Sequence, residues 1–379
     1  MPDTSLKRAT WLELFYDLAF VALVAQLTYL VADYHTTVTD WLNILIIGYA
    51  IFIAWWMTTA GRNLQDSETP RDKLLIQVQM VGAFLMSITM PAVFEGEYLG
   101  FFGTLAVMRL LQVSMILRMY RLAPEHRPKT LNIVQGVTVG AILWLASALA
   151  PDPYHFILAL MALSLDILTP QTTGKGNTRR MLNVSHLQER LGLFLMLVLG
   201  ESMLVVALAN TAVEVDLAQP IIVFSGLFIV ICVWWVYFRH LERCGEGVRP
   251  RNLFLYLQAH GWLFGSIILL AASFKNMLKH GVPTTGDLFL YGLGMIGIVV
   301  TIMVIRYTLH GWVRSFVVTA LIFLALNAAI FWYVGVVLEQ TLLLLVLSVI
   351  SAIIVTVDDM FNVWRFSKQQ HEDVSGAVG

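Results

Sequence analysis

Seven ionisable side chains stand inside stretches otherwise built from leucine, valine, isoleucine and phenylalanine: Glu13, Asp17, Arg109, Asp166, Glu201, His260 and Asp358. Charged groups in oily surroundings are costly, so they face a partner or a cavity. Glu13 and Asp17 are four residues apart and share one face of a helix. Arg109 cannot discharge by losing its proton. It therefore needs an anion, and Glu201, Asp17 and Glu13 are the available partners. Two carboxylates in one dry site repel, so one of them holds a proton. An arginine that keeps one acid ionised while another titrates makes a proton relay or a cation site.

Spacing places these groups by depth. Asp17 is nine residues beyond Arg8, roughly 13 Å along a helix. Glu201 is eleven residues past Arg190, about 16 Å, which puts it near mid-membrane. Gly200 before it permits close helix approach, and Ser202 after it can bond the carboxylate or the backbone. Gln79 and Gln258 can bridge helices by hydrogen bonds. His186-Leu-Gln-Glu189-Arg190 gathers three polar groups on one turn; no second such motif completes a metal site, so it reads as an interfacial ion cluster. The pairs Trp55-Trp56 and Trp234-Trp235 read as aromatic-belt residues. No metal or cofactor is expected, and no nucleophile–base arrangement stands out.

The elements that must position these groups are apolar helices. The chain has 379 residues, is 58% hydrophobic and only 13% charged, with a mean hydropathy of +0.75. Soluble domains carry about 25% charged residues. Polar stretches are too short for a large soluble catalytic domain, and a net charge of −1 offers no basic field for nucleic acid. The two cysteines, Cys232 and Cys244, read as free thiols. Apolar runs of about 20 residues suit membrane-spanning helices. Twelve fall near 11–32, 41–60, 74–94, 98–120, 131–150, 154–169, 190–210, 220–239, 252–273, 287–309, 315–337 and 341–363. With an inside N-terminus, 21 of the 24 Lys and Arg residues, Arg62 and Arg190 among them, fall in inner loops; Lys275 and Lys279 fall in an outer loop. That asymmetry predicts cytoplasmic termini at both ends.

The halves repeat. Trp55-Trp56 and Trp234-Trp235 are 179 positions apart, an offset that also matches Gln79 with Gln258, Gly82 with Gly261 and Ser87 with Ser266. An offset of 188 matches Met115 with Met303, Arg118 with Arg306 and Trp144 with Trp332. Asp166 then corresponds to Asp358, and Asp17 to Glu201. The fold class expected is all-α and polytopic, with two six-helix repeats in parallel orientation. Its parts are a cytoplasmic N-terminus (1–10), the first repeat (11–170), a cytoplasmic linker (171–189), the second repeat (190–363) and a cytoplasmic tail (364–379).

The opening Thr10-Trp-Leu-Glu13-Leu-Phe15-Tyr16-Asp17 resembles the start of the bacterial low temperature requirement protein A family. So does His186-Leu-Gln-Glu189-Arg190-Leu-Gly-Leu-Phe194, running on to Gly200-Glu201-Ser202. The resemblance implies a multispanning protein of a bacterial cell membrane and leaves its chemistry open. The preferred expectation is a transporter or channel that moves an ion or small solute through the bilayer by means of buried carboxylates, with proton coupling and a homo-oligomeric assembly left open. Glu13, Asp17, Arg109, Asp166, Glu201, Gln79, Gln258, His260 and Asp358 would line or balance the path. The rival is an intramembrane enzyme using Asp17, Glu201 and His260 as acids on a lipophilic substrate; a scaffold or sensor is a third reading.

Overall fold

The computed structural model describes all residues except 1–8, 34–36, 64–68, 123–126, 173–181, 210–217, 244–247, 281–283, 312–313, 334–341, 355 and 357–379. The described residues are helical, without strands. The first half contains α1 (Trp11–Asp33), α2 (Val38–Asn63), α3 (Pro70–Val93), a π-helical turn (Leu99–Gly103), α4 (Thr104–Leu122), α5 (Arg127–Leu149) and α6 (Tyr154–Thr172). The second contains α7 (Val184–Ala209), α8 (Ala218–Arg243), α9 (Leu253–His280), α10 (Thr285–His310) and α11 (Arg314–Ile330), then α12 (Leu342–Ile354). Nine helical stretches among the described residues are long and apolar enough to cross a membrane; those within α6, α11 and α12 are shorter.

Four helices start with the same device, a threonine followed three residues later by an acid. Thr10 with Glu13, Thr37 with Asp40, Thr69 with Asp72 and Thr284 with Asp287 each exchange bonds between side chain and backbone. This capping box satisfies N–H groups that the first turn leaves without acceptors. Such bonds matter more in oil than in water, because no solvent replaces them. At the other extreme, α10 stops at Gly311, whose φ of 77° is readily adopted only without a side chain.

Apolar residues both fill the core and cover the outside. Phe20, Leu23, Ile47, Trp55, Phe101, Leu195 and Leu263 are buried, while Leu74, Val81, Phe84, Leu85 and Ile88 of α3 are exposed. An outer surface as apolar as the interior suits a lipid environment. Helix α1 packs on α3, α7 and α9; α2 packs on α4, α6 and α7; α9 lies along α10. Small residues allow the closest approaches. A Cβ on Gly294 would stand 3.0 Å from backbone atoms of Ser266 and Leu270 in α9.

Two expectations about position are corrected. Lys275 and Lys279 lie in the last turns of α9, not in a loop. Arg190 and Arg62 are not loop residues either. Helix α7 begins at Val184 and α2 runs to Asn63, so both arginines are helical and buried. The periodic apolar pattern weakens at helix ends, which is why a hydropathy reading trims them.

Candidate functional site

Buried polar groups gather into two clusters joined by one helix. The first joins α1, α2 and α7. Arg190 of α7 donates from Nε to Asp17 Oδ2 at 3.0 Å and from Nη2 to Asp17 Oδ1 at 2.6 Å. The Trp55 indole N–H of α2 donates to Asp17 Oδ1 at 2.7 Å. One aspartate thus receives a two-pronged guanidinium and an indole, a charge-assisted arrangement stronger than neutral hydrogen bonds. Glu13, one turn earlier, faces Arg190 Nη1 at 3.3 Å and Arg62 Nε at 3.8 Å with Oε1. Its Oε2 caps the helix through the Thr10 N–H at 2.9 Å. Two arginines therefore balance two carboxylates.

His186 completes this cluster, and its tautomer follows from its neighbours. The Asn63 side-chain amide is oriented by the Asn183 backbone: Asn63 Nδ2 donates to the carbonyl and Oδ1 accepts from the N–H, each at 2.8 Å. The same Nδ2 stands 3.2 Å from His186 Nδ1, so Nδ1 must accept. The ring hydrogen is then on Nε2, directed at Glu13 Oε2 3.4 Å away.

The second cluster joins α2, α3, α4, α5 and α6. Arg109 Nη2 donates to Asp166 Oδ1, and the Trp144 indole donates to Asp166 Oδ2 at 2.9 Å. The design of the first cluster recurs: one aspartate, one guanidinium, one indole. Gly140 makes room for it, since a Cβ there would lie 2.8 Å from Asp166 Oδ1. Arg109 Nη1 also donates to Gln112 Oε1 at 2.6 Å. Gln112 Nε2 in turn donates to the Ala54 carbonyl at 2.8 Å and to Thr58 Oγ1 at 3.0 Å. Thr58 donates to Gln79 Oε1 at 2.5 Å. Helix α2 thus carries Trp55, Arg62 and Asn63 to the first cluster, and Thr58 and the Ala54 carbonyl to the second. Tyr16 sits within electrostatic reach of Asp17, Arg190 and Arg109, between the two.

The expected partnership of Arg109 with Glu201, Asp17 or Glu13 is overturned. Arg109 is paired with Asp166, because α4 packs in the first half against α5, and α5 against α6. Asp17 is claimed by Arg190. Glu201 is left over: it is only 5% exposed, and among the described residues no cation or N–H donor reaches either carboxylate oxygen. Thr28 of α1 lies beside it, its hydroxyl committed to the Val24 carbonyl at 2.9 Å. Ser202 also turns to backbone, donating to Val198 O at 2.8 Å. The acids therefore occupy separate sets of contacts rather than one chamber.

The remaining candidates divide. Gln79 belongs to the second cluster, while Gln258 is half-buried on α9, outside both. His260 Nδ1 faces the Tyr256 carbonyl at 2.7 Å and so carries the hydrogen; Nε2 accepts from the Tyr237 hydroxyl at 2.9 Å. With both nitrogens used, His260 ties α8 to α9 as a neutral ring. Asp358 lies outside the described residues. Arg190, Arg62, Trp55, Trp144 and Gln112 escaped the sequence reading. The one available signal was the spacing of His186 and Arg190, four apart and so on one helical face. Trp55 is no belt residue, being fully buried and stacked on Phe194 at 4.5 Å, whereas Trp234 is 40% exposed.

Polar groups also occur at the opposite end of α1. Asn276 of α9 bridges the Ala32 carbonyl and Asp287 Oδ1, each at 2.8 Å, and Lys275 lies over the Tyr29 ring at 4.1 Å.

Apolar helices with an apolar outer surface, held together by buried arginine–aspartate–tryptophan clamps, define a helical membrane protein. The chain belongs to the bacterial low temperature requirement A protein (LtrA) family, whose model matches residues 8–356. It is also similar to the uncharacterized protein RA0937 of Rhizobium meliloti. The two are 26% identical over 294 residues, 73% of this chain and 71% of the relative.

Proposed function

We propose that the protein moves a monovalent cation or a small solute through a bacterial cell membrane. The observation that carries this reading is Glu201, a carboxyl buried in a helix fit to span the bilayer which, among the described residues, has no opposite charge and only the Thr28 hydroxyl within reach. An ionised carboxylate in such a place is not stable alone. It needs a neutralising partner that arrives and leaves, and a mobile cation or proton is the simplest one. Asp17, Glu13, Asp166 and Arg109 differ, because each already has an opposite charge at contact. In this reading they hold helices in register while Glu201 carries the traffic.

The proposed topology is twelve spans in two parallel six-helix repeats, with both termini cytoplasmic. The sequence offsets support it, and so does the recurrence of one packing relation. The first helix of each half lies on the third, α1 on α3 and α7 on α9.

Reconstitution into liposomes with an internal pH or potassium indicator tests the function. Wild-type protein is expected to dissipate an imposed gradient of at least one tested ion or solute, and Glu201→Gln to fall to the level of empty vesicles. Equal flux from wild type and Glu201→Gln across all tested solutes would rule the reading out.

A further inference from the structure

Asp17 stands near the start of α1 (Trp11–Asp33) and Glu201 deep within α7 (Val184–Ala209), so that Arg190 rather than Glu201 meets Asp17. Their surroundings are opposite. Asp17 is fully buried and receives three hydrogen bonds, two from Arg190 and one from Trp55. Glu201 is nearly as buried and, among the described residues, receives none from an arginine or an indole. The tryptophan matched to Trp55, Trp234, is 40% exposed and so is not packed like its counterpart. Arg190, the nearest arginine before Glu201 on its own helix, is spent on Asp17 and Glu13 of the other half.

We infer that Glu201 is the exchangeable proton site of the described bundle, and that Asp17, neutralised by Arg190, takes no part in the exchange. This rests on the transport reading above and narrows its traffic to protons. The choice between proton and metal cation follows from coordination. A metal cation that leaves water for a dry site, monovalent or divalent, needs several oxygen ligands to replace its hydration shell, about six or more for calcium and magnesium. Among the described residues, the polar side chain set beside Glu201 is Thr28, whose hydroxyl hydrogen is already donated. A proton needs one carboxylate oxygen and no further ligand.

The exchange is balanced. On release the carboxyl O–H bond breaks, and the proton passes to water or to a basic atom of the solute. The carboxylate left behind is stable only while water or that protonated species attends it. On return the same bond forms and the site becomes neutral. Asp17 takes no part, because protonating it would break its two-pronged pair with Arg190 and leave that charge to Glu13 alone, and breaking a buried pair is costly.

Infrared spectroscopy of the full chain in lipid nanodiscs reads this without any flux. A carboxylic acid shows a C=O stretch distinct from that of a carboxylate, and it shifts in heavy water. The wild type is expected to show such a band, lost on raising pH. Glu201→Gln should remove it, Glu201→Asp should move it, and Asp17→Asn and Asp166→Asn should leave it in place. Glu201→Asp serves if the glutamine variant fails to fold. No protonated band in the wild type, a band unmoved in Glu201→Asp, or one that survives Glu201→Gln would overturn the inference. Flux lost in Glu201→Gln with the band unchanged sinks this inference and leaves transport standing; the band lost with flux unchanged does the reverse.

Discussion

Arg190 and Asp17 are 173 positions apart in the chain and meet through two parallel hydrogen bonds of 2.6 and 3.0 Å. The pair ties the start of the second half to the first helix. Neither residue has solvent to fall back on, so the pair acts as a unit. Asp17→Asn should cost about 3–5 kcal/mol by leaving the buried guanidinium with Glu13 alone. Asp17→Leu combined with Arg190→Met should recover part of that loss, since Glu13 and Trp55 still lose a partner. Thermal unfolding in detergent, followed by size-exclusion chromatography, measures both. Additive losses in the double variant would mean the two residues do not hold each other.

The indole contribution separates from the ring contribution at Trp55. Trp55→Phe keeps an aromatic surface for Phe194 and removes the donor to Asp17. The expected cost is about 1.5–3 kcal/mol, the range for a hydrogen bond to a charged group. Trp234→Phe, on a partly exposed residue, should change stability by about 0.5 kcal/mol or less. Matched melting curves of the two variants decide it, and equal shifts would contradict the assigned roles.

Gly140 has no room for a methyl group. A Cβ there would press to 2.8 Å from Asp166 Oδ1, whereas one on Gly265 would meet nothing within 4 Å. Gly140→Ala should therefore lose about 1–3 kcal/mol as an overpacked site. Gly265→Ala should be neutral or better, by up to about 1 kcal/mol from helix propensity. Chemical or thermal unfolding of both variants side by side is the check; a neutral Gly140→Ala would show that the clamp has slack.

The hydrogen-bond pattern makes His186 a neutral ring with its hydrogen on Nε2 and His260 a neutral ring with its hydrogen on Nδ1. Nitrogen-15 spectra of labelled histidines distinguish these tautomers. His186→Gln preserves an acceptor for Asn63 and a donor for Glu13, so it should fold as wild type, whereas His186→Ala should lose about 1–3 kcal/mol by leaving buried partners unsatisfied. A hydrogen on Nδ1 of His186 would overturn the Asn63 orientation on which this rests.

The helical, membrane-embedded nature of the chain and the buried ionisable residues in the middle of its spans were legible in the residues themselves. Hydropathy is a one-dimensional property, and an acid within twenty apolar residues is conspicuous wherever the helix goes. Glu13, Asp17, Arg109, Asp166 and Glu201 were found that way, and each is buried. Arg62 and Arg190 were missed because they lie near helix ends, where local sequence does not distinguish a buried guanidinium from one bathed in headgroups.

Partner choice was decided only by the tertiary structure. Nothing along the chain says whether Asp17 or Asp166 will meet Arg109, because ion pairs depend on which helices pack together. The packing of α4, α5 and α6 delivered Asp166 to Arg109, and that of α1 with α7 delivered Asp17 to Arg190. Glu201 became the unclaimed acid by the same assignment. The sequence by itself determined which mid-span charges must be buried, since burial follows from their apolar neighbours; the fold alone decided the burial of those near helix ends and which charges would be neutralised, since a charge acts over a few ångströms of space and not over positions in a chain.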